Sequence, residues 1–431
     1  MRAAILGACK KLSPGELHVY AIDFDDQTLG MLEDLPHVGA IVGAGERDRQ
    51  IRLLRYLQRE VAERRERVAT DPAALVDLPR IVVAVDNYAG FRAAFDDPSD
   101  MAIKESLGRI VADGPGVGIV VLATAKQPID IPTTVASLVP AKLVFALADR
   151  YEYTGLGVSV TEPPEVAGRA FESGTSLEVQ LMNIGPADVL AVAVAAAAAD
   201  SMLPAQATPW SIELLPAEVK VPDVVDGAEV FDLEWRVPVA LGDDRLQPVG
   251  WVLREGDHVL ISGPARSGKS TTLATIGAVL RIARPDIRIT GLATRRSPLV
   301  ESPEVDQMFS DPAELVASLA AADPSVPHAV LVDDAEDIDD SAGAISGLLA
   351  ERLPHRHFFV TGAADILRTA YGHWTQSVRR SRQGMALKPS GSGDGDLWQA
   401  NLPRNQPAAF PPGRGYLITD GSVELAQVAW Q

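Results

Sequence analysis

Residues 263–270 read Gly-Pro-Ala-Arg-Ser-Gly-Lys-Ser, a full match to the pattern G-x-x-x-x-G-K-[ST] of the phosphate-binding P-loop. An apolar run at residues 258–262 precedes the motif, and Leu273, Ile276 and Leu280 follow it at helical spacing. The sequence therefore predicts a buried strand, a glycine-rich loop and a helix in succession. The N–H groups of such a loop and helix N-terminus converge on one spot, which suits a polyphosphate. Because both flanking elements accompany the motif, we favour a nucleoside triphosphate site over a chance match.

The motif gives its special positions an expected contact with the nucleotide. Gly263 and Gly268 allow the tight backbone path around the phosphates. Lys269 can reach the β- and γ-phosphates, and Ser270 can supply a hydroxyl ligand to Mg²⁺. The expected nucleotide-binding residues are, together, Gly263, Pro264, Ala265, Arg266, Ser267, Gly268, Lys269, Ser270 and Thr271.

The composition is that of a globular protein, since 47% of the 431 residues are hydrophobic and 23% are charged. This length accommodates two domains of ordinary size. The single cysteine, Cys9, excludes a disulfide framework and a cysteine-based metal site. No signal sequence is apparent, and the longest apolar stretch, residues 187–199, is too short to span a bilayer. We expect a cytoplasmic protein that reaches the inner face of the cell membrane only through partners.

The charge balance argues against binding to nucleic acid. Acidic residues outnumber Lys and Arg 58 to 39, and the net charge is −19. A surface that grips DNA needs cations facing the phosphates. Arginines do crowd one predicted helix between Arg47 and Arg67, but glutamates are interleaved with them. This interleaving favours a solvated helix face over a basic strip for DNA.

The chain contains an internal repeat. Residues 79–87, Pro-Arg-Ile-Val-Val-Ala-Val-Asp-Asn, resemble residues 327–334, Pro-His-Ala-Val-Leu-Val-Asp-Asp. Each segment is an apolar run that ends in an acid, the pattern of a buried strand that presents a carboxylate at its end. Further along, residues 118–125 resemble residues 357–363, and both predicted strands close on a threonine.

A later pair of segments, residues 163–170 and 411–416, repeats a Pro-Pro start and a following Gly-Arg at nearly the same offset. The sequence therefore predicts two α/β domains in tandem. We expect a first domain at residues 1–185, a linker with an Ala/Val-rich helix and proline-punctuated extended pieces at residues 186–234, and a second domain at residues 235–431.

The first copy lacks a P-loop. Its predicted strand at residues 17–24 corresponds to the strand at residues 287–292, which begins soon after the P-loop of the second copy. Counted back from there, the first P-loop would fall just before Met1. Either the chain is a fragment or a natural copy has been shortened. Asn87 also replaces the acid that normally follows Asp86 at such a site, so we expect a degenerate first domain that serves as a scaffold.

In the second copy, Asp333 and Asp334 end the predicted acidic strand. Asp333 would hold the Mg²⁺ shell, and the next position commonly carries a glutamate that orients the attacking water. Asp334 is one methylene shorter, and a misplacement of about 1 Å can cost ~10²-fold, so hydrolysis is expected to be slow. A solvated acidic loop is the alternative. Thr361 is either a sensor of the γ-phosphate or a core threonine.

Arg379, Arg380 and Arg382 form a basic cluster near the end of the second copy. One interpretation is an arginine offered to the nucleotide of a neighbouring subunit. The other is a solvated basic turn. No combination of His and Asp residues suggests a structural metal or a hydrolase triad.

Several segments together resemble one known family. The first copy contributes Leu-His-Val-Tyr-Ala-Ile-Asp-Phe at 17–24 and Leu-Pro-His-Val-Gly at 35–39, and the second copy contributes residues 379–387, 394–397, 402–404 and the Pro-Gly-Arg-Gly run at 412–415. These segments resemble the FtsK/SpoIIIE-type ATPase domains of type VII secretion, which the membrane-coupled ATPase EccC carries in tandem. The likeness covers nearly the whole chain.

The resemblance implies RecA-like folds that bind ATP with Mg²⁺. It implies a role in exporting small helical Trp-x-Gly proteins, with the last domain receiving a C-terminal targeting signal. Partners would then include a membrane-bound secretion ATPase or core complex and further subunits of a homo- or hetero-oligomer, with a ring as one arrangement. The chain would be a separate soluble subunit or the C-terminal portion of such an ATPase.

Three functions follow as hypotheses. The leading one is an ATP-binding, weakly hydrolysing secretion subunit that couples nucleotide state to recognition of the exported protein. The second is a DNA translocase of the same superfamily, which the net charge opposes. The third is a non-catalytic scaffold in which nucleotide stabilises the fold or an interface.

Overall fold

The computed structural model describes the chain except for residues 26–27, 160–165, 201–207, 232, 295–296, 324–325, 353–354, 405, 407–409 and 431, and the side chains of residues 99 and 198–200. The chain divides into two compact units, Met1–Leu214 and Leu215–Gln431. Part of the predicted repeat, residues 163–165, lies outside the described residues. The domain boundaries expected after residues 185 and 234 stay a prediction.

The unit Met1–Leu214 alternates helices and strands before it ends in a small sheet and a helix. Its elements are α1 (Arg2–Cys9), β1 (Leu17–Asp23), β2 (Val38–Gly43), α2 (Arg47–Thr70), β3 (Arg80–Asp86), α3 (Tyr88–Ala94), α4 (Met101–Asp113), β4 (Ile119–Ala123), α5 (Thr133–Ala136), β5 (Leu143–Val144), α6 (Arg150–Gly155), β6 (Arg169–Glu172), β7 (Glu178–Gln180) and α7 (Pro186–Asp200).

The main sheet of this unit is parallel with strand order β2-β1-β3-β4. Asp23 pairs with Asp86 in register, so the carboxyl ends of β1 and β3 meet at one edge. Strand β1 is buried along its whole length, because helices cover both faces of such a sheet. A separate antiparallel sheet contains β5, β6 and β7.

Helix α2 packs on this sheet through one apolar face, on which Leu53, Leu54 and Leu57 are fully buried. Two arginines of α2 differ from the expected solvated face, whereas Arg47, Arg55, Arg65 and Arg67 are exposed as expected. Arg52 and Arg64 are buried, and the Arg64 guanidinium contacts the Glu60 carboxylate at 2.7 Å and donates to a backbone carbonyl of the unit. The Arg64 guanidinium is thus engaged within its own unit and is not available to the phosphates of DNA.

The unit Leu215–Gln431 carries the P-loop in a larger sheet. Its elements are β8 (Glu229–Val230), β9 (Trp235–Gly242), β10 (Pro248–Leu253), β11 (Val259–Ser262), α8 (Lys269–Ala283), β12 (Arg288–Leu292), β13 (Gln307–Phe309), α9 (Pro312–Ala321), β14 (His328–Val332), α10 (Ala344–Ala350), β15 (Arg356–Gly362), α11 (Ala364–Thr369), α12 (Thr375–Arg379), β16 (Gln383–Leu387), β17 (Arg414–Thr419) and β18 (Ser422–Val428).

The strand order is β10-β9-β18-β17-β16-β11-β15-β14-β12-β13, with β8 paired to β9. The block from β16 to β13 is parallel, and the remaining strands are antiparallel. Side chains of β11 point alternately into two cores, with Val259 and Ile261 in one and Leu260 in the other. The P-loop strand therefore lies in the interior of the sheet, flanked by β15 and β16.

The two units share one strand arrangement. The order β2-β1-β3-β4 of the first matches β13-β12-β14-β15 of the second, with the same parallel direction. The predicted fold class, α/β with two tandem RecA-like P-loop NTPase domains of which the first is degenerate, is confirmed. In the second unit β11 continues the order beyond β15, whereas in the described residues of the first unit β4 is the outer strand.

Candidate nucleotide-binding site

The predicted strand, loop and helix of the P-loop are present. The loop leaves β11 at Gly263, whose N–H donates to the Gly362 carbonyl at 3.2 Å, and it enters α8 at Lys269. Two residues adopt positive φ, Arg266 at 62° and Gly268 at 106°, and these values reverse the chain within the short loop. The Lys269 ammonium donates to the Gly263 carbonyl at 3.2 Å, so the lysine folds over the loop.

The Pro-Gly-Arg-Gly run packs directly against the P-loop. The Gly413 N–H donates to the Ser267 carbonyl at 2.8 Å, and a Cβ on Gly268 would lie 2.9 Å from the Gly413 nitrogen. The Arg414 guanidinium then donates to the carbonyl of Leu215 at 2.8 Å. No spacing rule in the sequence brings residues so far apart together. The Pro-Gly-Arg-Gly run is recognisable in the sequence, but its residue types do not reveal that it contacts the P-loop.

Asp333 is the centre of a hydroxyl cluster at the end of β14. Its side chain is fully buried, and its carboxylate accepts hydrogen bonds from Ser270 at 2.8 Å, Thr361 at 2.6 Å and Ser297 at 2.5 Å. Carboxylate and hydroxyl oxygens are hard donors, so the set fits Mg²⁺. The structure thus brings the predicted metal ligands Ser270 and Asp333 into contact.

Ser297 is a member of this cluster that the sequence analysis missed. It lies five residues beyond the end of β12, and its hydroxyl also accepts the N–H of Leu299 at 3.1 Å. A serine in a loop is too common to be recognised from its residue type. Its position after the strand next to β14 was the one available signal.

Asp334 lies beside the P-loop lysine. Its carboxylate is 3.6 Å from the Lys269 ammonium, and its N–H donates to the Thr361 hydroxyl at 2.9 Å. Burial and the neighbouring Asp333 carboxylate raise the pKa of Asp334 above its ordinary value. Thr361 therefore links both acids, and four of the predicted site residues form one connected group with Ser270.

The remaining predicted contacts lie around this group. Pro264, Ala265, Arg266 and Thr271 are exposed, whereas Gly263 and Ser267 are buried. Exposed loop positions are open to a ligand, and the buried ones shape the loop. The individual roles of these residues stay predictions.

The basic cluster is directed toward its own unit. The Arg379 guanidinium donates to the Leu367 carbonyl at 2.5 Å, and that of Arg382 donates to the Trp398 carbonyl at 3.3 Å. Burial lowers the pKa of Arg379. These contacts favour a structural role for Arg379 and Arg382 over the trans-acting interpretation.

The first unit repeats the hydroxyl cluster without the P-loop. The Asp86 carboxylate accepts hydrogen bonds from the hydroxyls of Thr124 and, at 3.1 Å, Thr28. The Asn87 N–H donates to the Thr124 hydroxyl at 2.8 Å, as Asp334 does to Thr361. The described residues of this unit contain no match to the P-loop pattern beside Asp86.

The comparisons with known proteins agree with this architecture. No family model matches the chain. EccC4 of the ESX-4 secretion system of Mycobacterium tuberculosis is 26% identical over 478 residues, which cover 100% of this chain and 37% of EccC4. The ESX-1 protein EccCb1 of the same organism is 24% identical over 70% of this chain and 55% of its own length. The predicted resemblance to EccC-type ATPase domains is confirmed.

Solved structures give the same result for the fold. EssC (ATPases 2 and 3) from Geobacillus thermodenitrificans has a TM-score of 0.79 at 19% identity, covering 99% of this chain and 88% of that one. Thermomonospora curvata EccC (ATPases 2 and 3), in complex with a signal sequence peptide, has a TM-score of 0.62 at 20% identity over 100% of this chain and 85% of its own. The chain spans 37% of EccC4 and 55% of EccCb1, so it matches only part of these EccC relatives. No described helix is long and apolar enough to cross a membrane.

Proposed function

We propose that the unit Leu215–Gln431 binds Mg-ATP and hydrolyses it slowly as part of a type VII-like protein secretion machine. The observation that carries the proposal is the contact between Ser270 and Asp333 at 2.8 Å, beside a complete P-loop whose lysine folds over the loop. A helix N-terminus, a lysine and a hydroxyl–carboxylate pair at one edge of a sheet match what a triphosphate and its metal require.

The residues of the site divide the task. The N–H groups of the P-loop and the Lys269 ammonium would bind the β- and γ-phosphates, while Ser270 and Asp333 would hold the metal shell. When bound, Mg²⁺ would neutralise the charge that develops during transfer. Thr361 donates to Asp333 and accepts from the Asp334 N–H, so it fixes both acids relative to the strand ends.

The secretion role rests on the relatives. EccC4 and EccCb1 are secretion system proteins, and the Thermomonospora curvata EccC structure contains a signal sequence peptide. We therefore assign this chain partners of the same kind: a membrane-bound secretion ATPase or core complex, small helical Trp-x-Gly proteins, and further subunits of an oligomer. It would act in the cytoplasm at the inner face of the membrane.

The test is nucleotide binding by the whole chain. We expect Mg-ATP to bind, and Lys269→Ala to weaken binding about 10- to 100-fold, because charge-assisted contacts to phosphate are lost. Isothermal titration calorimetry measures both constants. Lys126→Ala is the matched control, because Lys126 is an exposed lysine of the other unit, paired with Asp25. Equal affinity of the parent and the Lys269 variant, or no affinity in either, would contradict the proposal.

A further inference from the structure

Glu336 is a carboxylate of the site that the P-loop motif does not include. It lies in the short 3-10 turn Ala335–Asp337 that follows β14. Its Oε1 accepts the N–H of Ala363 at 2.9 Å, just beyond the end of β15. Its Oε2 is buried and has no hydrogen-bond partner among the described residues. The contact with Ala363 explains one oxygen of this side chain and leaves the other to be explained.

Gly362, which has no side chain, leaves space for that second oxygen. A Cβ on Gly362 would lie 2.5 Å from Leu367 Cδ1 and 2.8 Å from Glu336 Oε2, so a larger residue there would displace both side chains. In the first unit, the position that corresponds to Glu336 is Ala89 and the one that corresponds to Gly362 is Ala125. The carboxylate and its space occur together in the unit with the P-loop and are both replaced in the unit without it.

The strand register places Glu336 next to the P-loop. Gly362 pairs with Ser262, and its carbonyl accepts the N–H of Gly263, the first residue of the motif. Burial raises the pKa of Glu336, the Asp334 carboxylate raises it further, and the Lys269 ammonium lowers it. The strand pairing, together with the contact between Glu336 and Ala363, therefore places this carboxylate beside the strand end at which the P-loop begins.

We propose that Glu336 Oε2 is the hydrogen-bond acceptor that orients the attacking water in ATP hydrolysis. This inference rests on the proposed function. In the step, the water oxygen forms a bond to the γ-phosphorus while the bond from phosphorus to the β–γ bridging oxygen breaks. The products are ADP and inorganic phosphate, and the water proton passes to solvent. Glu336 reaches over the end of β15, so it replaces the longer side chain that Asp334 lacks.

The test separates turnover from binding in the full chain. Glu336→Gln keeps an acceptor for the Ala363 N–H and loses the anionic oxygen. We expect kcat to fall at least about 10-fold, since orientation and acid–base contributions reach ~10²-fold. The dissociation constant for Mg-ATP should stay within about 3-fold, because Glu336 orients water and does not bind phosphate. Glu336→Asp, which keeps the charge but shortens the reach, should lose turnover in the same way.

Asp337→Asn is the control for charge alone, since Asp337 is an exposed acid of the same turn. Its turnover should match the parent. A parent that binds Mg-ATP without measurable hydrolysis, a Glu336→Gln variant with unchanged kcat, or a loss of affinity equal to the loss of kcat would each overturn the inference and leave nucleotide binding in place. A parent without affinity for Mg-ATP would overturn the proposed function as well.

Discussion

The two units end their equivalent strands on the same group of side chains and differ in what surrounds it. Asp86 and Asp333 each accept hydrogen bonds from a threonine at the end of the neighbouring strand and from a hydroxyl in the loop after the strand on the other side. In the second unit, the Asp333 carboxylate also accepts a hydrogen bond from Ser270 of the P-loop. Glu336 lies in the turn that follows the same strand. A buried carboxylate needs hydrogen-bond partners whether or not it binds a metal. The carboxylate with its hydroxyl donors is thus a property of the fold that both units share. The proposed nucleotide chemistry depends on the P-loop and on Glu336, which occur in the second unit.

The largest difference between the two units is expected when Asp333 and Asp86 are neutralised in turn. We expect Asp333→Asn to reduce Mg-dependent turnover at least about 100-fold, because the metal shell is misplaced. Asp86→Asn should leave turnover within about 2-fold and lower the free energy of unfolding of its own unit by about 1 kcal/mol, the value of a charge-assisted hydrogen bond weakened to a neutral one. Phosphate release and hydrogen exchange at β3 and β14 measure the two effects. Equal losses of turnover would show that the first unit takes part in catalysis.

The sequence predicted the elements whose signals are local. The P-loop, its strand and helix, and the acids at the ends of β3 and β14 were all legible, because a buried parallel strand is an apolar run with a polar end. The contacts of Ser297, Gly413 and Glu336 were not, since each depends on which strands become neighbours and on their register. Arg64 of α2 shows the same limit, because its buried guanidinium donates hydrogen bonds to the distant backbone carbonyls of Pro79 and Val117.

The residues that follow the two acids offer a second comparison. Asn87 and Asp334 adopt φ values of 64° and 51°, in the left-handed region. The Asn87 side chain also accepts the N–H of Gly90 at 3.2 Å and so caps α3, whereas Asp334 makes no such cap. We expect Asn87→Ala to cost about 2 kcal/mol, half from backbone strain and half from the lost cap. Asp334→Ala should cost about 1 kcal/mol, from strain alone, because its ion pair with Lys269 is partly exposed.

Hydrogen exchange at the amides of α3 and of β14 reports these two costs separately. The matched controls are Asn87→Gly and Asp334→Gly, which relieve the strain and retain the loss of the side chain. If both glycine variants were as unstable as the alanine variants, the left-handed backbone would not be the source of the cost.

The smallest expected difference concerns the hydroxyls after β1 and β12. Ser297 is buried, and its loss leaves Asp333 with two donors and the Leu299 N–H without an acceptor, so Ser297→Ala should cost about 1 kcal/mol. Thr28 is exposed and water can replace its hydroxyl, so Thr28→Ala should cost less than about 0.5 kcal/mol. Urea denaturation of the full chain, with hydrogen exchange assigning each loss of stability to its unit, measures both.

Turnover gives a further test of Ser297. Because Asp333 keeps its hydrogen bonds from Ser270 and Thr361, turnover of Ser297→Ala should fall only about 3-fold, much less than that of Asp333→Asn. A loss as large as that of Asp333→Asn would instead make Ser297 an essential member of the metal site, and the resemblance between the two hydroxyl clusters would then be one of position alone.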